Sequence, residues 1–177
     1  MMGEHGQGGN ARNDIAALLP TQQPVHIVTL RGPAGERRFP VDLIRDEVQP
    51  LPSATWVAFL GDDLGEPPAY AVDLLRRLAR WRCPWLAQAS LRFGEKPQLI
   101  KLARQSNCRA LLFDGSLISQ HYLSTESAAL PEQVSHLTQS LRRLADNGIF
   151  SIVHFVFGYD TDDEGVFERT ARFCMDA

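Results

Sequence analysis

Residues 149–163 read IFSIVHFVFGYDTDD. Ile149, Ile152, Val153, Phe155, Val156 and Phe157 make a nearly unbroken apolar run of β-branched and aromatic residues. That is the composition of a strand covered on both faces. Asn147-Gly148 in front ends a helix, and Gly158 behind lets the backbone turn. Thr161 and Glu164 have the spacing of a capping box, and Val166, Phe167, Thr170, Ala171 and Cys174 follow at helical spacing. The stretch predicts strand, acidic loop, helix. In parallel α/β folds the chemistry sits on loops at the C-terminal ends of strands, which singles out Tyr159, Asp160 and Asp162.

The same grammar repeats outward from this stretch. Residues 25–30 (VHIVTL) predict a first strand, followed by a basic, turn-rich loop, RGPAGERR, over 31–38. Pro40 opens a short helix with Val41, Leu43, Ile44 and Val48 on its apolar face, since proline suits a first helical turn. Residues 54–60 predict a second strand ending in Gly61-Asp62-Asp63, and a helix follows over 67–81 with Arg76, Arg77 and Arg80 as its solvated face. A third strand over 85–91, a helix over 97–106, a fourth strand over 109–113 ending in Asp114-Gly115-Ser116, and a helix over 131–146 complete the pattern. Residues 117–130 read as irregular, and His136 is placed on the outer face of the last of these helices.

Five strand–helix units predict an α/β domain with a parallel sheet and right-handed crossovers, either doubly wound or a part-closed barrel. It occupies residues 24–177, after a Gly-, Gln- and Asn-rich tail over 1–23 in which His5 has no metal-site context. RGPAGERR does not match GxGxxG, and no GxxxxGK[ST] is present, which counts against the nucleotide-binding folds.

Composition narrows the function classes. The 177 residues are 44% hydrophobic, enough to fill one core, and a net charge of -3 argues against a nucleic-acid partner. Cys83, Cys108 and Cys174 form no CxxC pair, so neither a zinc knuckle nor a redox motif is expected, and an odd count fits a reducing compartment. No signal peptide and no membrane span is visible, so the chain reads as cytoplasmic with no membrane partner.

The predicted strand ends gather Asp62 and Asp63, Gln88 and Arg92, Asp114 and Ser116, and the segment from His154 to Asp162. Carboxylates grouped near an arginine can bind a cationic or polar ligand or shift pKa values for acid–base work. Each has a plainer reading: Asp62 and Asp63 as turn formers, Gln88 as a partner for backbone groups, His154 as a hydrogen-bonded core histidine, and Asp162 as a charge at the positive end of the last helix.

Several segments together resemble a known family. They are VAFLGDDL (57–64), WLAQAS (85–90), LIKLARQSNCRALLF (99–113) and NGIFSIVHFVFGYDTDDEGVFERTARF (147–173). In these the chain resembles the catalytic barrel of radical S-adenosylmethionine enzymes, in the branch that often carries a cobalamin-binding domain. The resemblance covers about two-thirds of the chain and implies a partial (β/α) barrel of about five units, one short of six. It departs from the family where a CxxxCxxC loop would bind a four-iron cluster, because TQQPVHIVTLRGPAGERRF (21–39) holds no cysteine. Leu64 and Ser116 also stand where the family has Asn and Glu.

The resemblance therefore implies a cluster-less relative acting as a non-catalytic partner or regulatory subunit that binds S-adenosylmethionine or a related ligand. It implies no four-iron cluster and says nothing of cobalamin. Asp62, Asp63, Gln88 and Ser116 would line the pocket, with Phe155, Phe157, Gly158 and Asp160 supporting the adenine side. A barrel one unit short exposes a strand edge, so a protein partner covering that edge is expected. Two alternatives stand beside this one. One is an enzyme with a metal-free acid–base site built from His154, Asp63 and Asp160. The other is a truncated remnant with a structural, interaction role.

Overall fold

The computed structural model describes residues 23–32, 37–79, 82–115, 123 and 131–177, the side chains of 131–133 excepted. The N-terminal tail, Trp81 and Ser116 lie outside the described residues, as does nearly all of the 117–130 stretch. Strand β1 (Val25–Thr29) leads to helix α1 (Val41–Val48), β2 (Trp56–Leu60) to α2 (Pro68–Leu78), and β3 (Trp85–Gln88) to α3 (Pro97–Gln105). Then come β4 (Cys108–Asp114), α4 (Pro131–Asp146), β5 (Phe150–His154) and α5 (Val166–Asp176). Prolines stand at the starts of α2 and α3, and Pro40 is the residue before α1, positions where a missing N–H costs nothing.

The five strands form one parallel sheet in the order β1-β2-β3-β4-β5. Sequence neighbours are sheet neighbours throughout, so every right-handed crossover steps in the same direction and puts its helix on the same face. The packing shows this. Ile44 of α1, Leu74 and Leu75 of α2, Leu99 and Ile100 of α3, Leu141 and Leu144 of α4, and Phe173 of α5 share one core with Val28, Phe59, Trp85, Ala87, Leu111 and Phe113 of the strands. The opposite face carries a second cluster, Ala58, Leu86 and Ala110, with Ile27, Trp56, Leu60, Leu112 and Ile152 around it, and among the described residues no helical one belongs to it.

Three local expectations are corrected. The 85–91 segment leaves the sheet at Gln88, and Leu91 begins a 3-10 turn over Leu91–Glu95. Gly94 lets this turn pack closely on α4, because a Cβ there would sit 2.7 Å from Ser140. Strand β5 is not covered on both faces. It stands at the end of the sheet order with Phe150 74% exposed, and none of the described helices packs on the sheet's second face. The Thr161–Glu164 capping box does not form either. Helix α5 starts at Val166 after Gly165, without a side-chain cap, and Asp163 accepts the Gly165 N–H at 2.9 Å instead.

Candidate functional site

The parallel sheet brings all five C-terminal strand ends to one side. Because side chains alternate along a strand, every second residue rises from the face opposite the described helices, the helix-free face. At the C-terminal end that face carries Leu60, Gln88, Leu112, Asp114, His154 and Val156. They line an open cleft of about 510 Å³ together with Phe113. Such a volume lies within the range of small-ligand sites. Its floor is apolar, and its polar groups are few and come from three adjacent strands.

Asp114 and His154 are register partners across β4 and β5, so their side chains leave the same face of the sheet on neighbouring strands. Both are exposed, as is Gln88, which pairs in register with Leu112. His154 is thus not a core histidine; it closes an edge strand at the cleft. Gly115, just past Asp114, makes this close approach possible. Its N–H donates to the His154 carbonyl at 2.8 Å, and a Cβ at Gly115 would come within 2.7 Å of that same oxygen.

The acidic residues singled out from the sequence divide differently. Asp62 sits at the end of β2 between two arginines: Arg31 Nε donates to its Oδ2 at 2.8 Å and Arg38 Nε at 2.6 Å. Arg38 Nη2 also donates to the Asp63 carbonyl at 2.5 Å, and its guanidinium carbon lies 5.0 Å from the Tyr70 ring centre. Burial alone would raise the Asp62 pKa, but the hydrogen bonds from Arg38 and Arg31 outweigh it and hold the carboxyl below its ordinary value. Asp63 turns back on its own chain, Oδ1 accepting the Gly65 N–H at 2.8 Å.

Beyond β5, Asp162 Oδ2 accepts the N–H groups of Gly158 at 2.7 Å and Tyr159 at 3.0 Å. It closes the turn in which Gly158 has a φ of +97°. Asp160 stands exposed on that turn. Phe155 points to the helix side, its ring 6.2 Å from Phe173 and 6.5 Å from Phe157. The structure therefore gathers Gln88, Asp114 and His154, and keeps Asp62, Asp63 and Phe155 apart from them. Arg92 is exposed in the 3-10 turn. Sequence reading missed Leu60 and Leu112, whereas Val156 lay within the 154–162 segment it gathered. Counting back two residues from Asp114 reaches Leu112.

The other faces are plainer. A mostly apolar groove runs along the outer edge of β5, lined by Leu141, Ile149, Phe150, Phe155 and Phe173; the expected protein partner concerns this edge. Cys83, Cys108 and Cys174 are free thiols, and burial holds Cys108 well above its ordinary pKa. Among the described residues no three His, Cys, Asp or Glu side chains converge on a metal position, and no helix is long and apolar enough to cross a membrane.

Fold and cleft define the chain as an α/β protein with a parallel sheet and a ligand-sized cleft at its strand ends. No family model matches the chain. It is similar to the bacteriochlorophyllide d C-12(1)-methyltransferase of Chlorobaculum tepidum, with 25% identity over 118 residues, which is 67% of this chain and 26% of that protein. The chain thus spans about a quarter of the relative it matches. The resemblance to radical S-adenosylmethionine enzymes is accordingly not upheld: no family model supports it, and the similar protein bears the name of a methyltransferase. The cluster-less, non-catalytic role built on that resemblance loses its basis as well.

Proposed function

We propose that this chain is a module for S-adenosylmethionine in a methyl-transfer protein, with the cleft over Leu60, Gln88, Leu112, Asp114, His154 and Val156 as its binding site. The sheet then serves as one wall of a partial (β/α) barrel whose lumen side is the helix-free face. The observation that carries the reading is the makeup of the cleft. An apolar lining from β2, β4 and the segment just past β5 accompanies one carboxylate, one imidazole and one amide. Similarity to a protein named a methyltransferase supports the chemical class.

The residues present fit such a ligand. Its sulfonium and ammonium groups are cations, which the Asp114 carboxylate favours. Its adenine is a flat apolar ring with a polar edge, suited to Leu60, Leu112 and Val156 for the faces and Gln88 for the edge. When bound, the ligand supplies an electrophilic methyl group. His154 brings to the cleft an imidazole, the side-chain type most often used as a general base.

Calorimetric titration of S-adenosylmethionine into the 177-residue chain tests this. Saturable binding is expected, weakened at least about tenfold by Asp114→Asn or Gln88→Ala, the loss of one charge-assisted or neutral hydrogen bond with its packing. A well-folded chain that takes up no ligand would refute the proposal.

A further inference from the structure

The geometry points to an oxyanion site at the ends of β1 and β2, with Arg38 as the receiving group and Arg31 at its mouth. Arg31 and Arg38 face one another across an antiparallel bridge that closes the basic loop between them. Arg38 is held on three sides, by Asp62 Oδ2, by the Asp63 carbonyl and by the face of Tyr70. Its side chain is 10% exposed. Its Nη1 is buried and has no hydrogen-bond acceptor among the described residues.

A guanidinium is charged at every accessible pH and carries donors in a rigid fork. Fixing that fork while leaving one nitrogen without an acceptor costs stability. The group that best relieves the cost is an oxyanion, because charge-assisted bonds to a carboxylate or phosphate are the strong ones. Asp62 does not fill this need. Both arginines already share its Oδ2, and its Oδ1 accepts the Asp63 N–H at 2.8 Å. Asp63, next in the chain, commits its own Oδ1 to Gly65.

Arg31 is 39% exposed, so an entering anion meets it first. Asp62 lies two residues beyond Leu60, a cleft residue, across the turn at Gly61, whose φ is +85°. On the cofactor reading above, on which this assignment rests, the oxyanion is the carboxylate at the amino-acid end of S-adenosylmethionine. The adenosyl end then takes the Leu60–Leu112–Val156 floor.

The test compares two ligands on two proteins by calorimetry. S-adenosylmethionine carries the carboxylate; 5′-methylthioadenosine keeps the adenosyl part and lacks the amino-acid part. Arg38→Gln is expected to weaken the first by about ten- to a hundredfold, the loss of a charge-assisted bond, and to leave the second unchanged. Equal loss for both, or no loss for either, would overturn the assignment. Should Arg38→Gln not fold, Arg38→Lys keeps the charge and removes the fork, and a several-fold loss confined to S-adenosylmethionine is expected. A wild-type chain that binds neither ligand would sink the cofactor reading by itself. The oxyanion site is then decided with inorganic phosphate: saturable binding lost in Arg38→Gln supports it, and no binding ends it.

Discussion

Two acidic loops follow strands of the same sheet, and the protein uses them in different ways. At the end of β2, Asp62 is clamped by Arg31 and Arg38, with 15% of its side chain exposed. After β5, Asp162 spends one oxygen on the backbone N–H groups of its own turn. One carboxylate neutralises charge brought from another strand; the other replaces a missing main-chain acceptor. Neither lines the cleft, where Asp114, on the strand beside β5, does. Position at a strand end thus does not settle an acidic residue's role: Asp62 and Asp162 are taken up by the chain's own cations and turns.

The sharpest way to break this contrast is Asp62→Ala. It leaves the Arg38 cation buried without its counter-ion, and removing one partner of a buried pair costs about 3 kcal/mol or more. A corresponding fall in the urea midpoint at neutral pH is expected. The pH dependence has a definite sign. The Asp62 pKa is lowered in the folded state, so its contribution is present above the unfolded carboxyl value and is lost as pH falls through the folded one. The gap between wild type and variant should therefore close on acidification below about pH 4, the ordinary carboxyl range. A gap that stays constant down to strong acid would show that the clamp holds by packing and not by charge.

Asp162→Ala sharpens the other half. Two N–H groups lose a charged acceptor, but they sit in an exposed turn where water can replace it. A loss of about 1–2 kcal/mol is expected. The informative readout is hydrogen exchange at Gly158 and Tyr159, which should accelerate while the β4 amides keep their protection. Equal acceleration in both places would mean that the turn and the sheet open together.

How much of this was legible follows from range. The alternation of strands and helices was readable because periodicity and proline punctuation are local, and all five strands and five helices are where those signals lie, with ends shifted by a few residues. Gln88, Asp114 and His154 were readable as strand-end residues. What the local signals could not carry was the sheet order. Until β5 is known to be the last strand, an apolar run such as 149–157 looks doubly covered. Nor could they pair Asp62 with Arg31 and Arg38, which stand 31 and 24 residues away. The capping-box reading of Thr161 failed because the helix begins later, at Val166, and Asp163 accepts the Gly165 N–H just ahead of it.

The smallest expected effect is the one that separates the cleft from both loops. His154 and Gln88 are exposed, at the ends of β5 and β3, and neither stands in the sheet's main core cluster. Substitution of exposed side chains away from caps and buried networks usually moves stability by no more than about 0.5 kcal/mol. His154→Ala and Gln88→Ala should therefore unfold at the wild-type urea midpoint, within that margin, where Asp62→Ala does not. If the cleft is a binding site, those residues are retained for what they touch and not for what they hold together, and ligand affinity should fall without a change in the fold. A loss of stability as large as that of Asp162→Ala would reverse the assignment. Gln88 and His154 would then be structural groups of the sheet, and the division between a structural end and a binding end would dissolve.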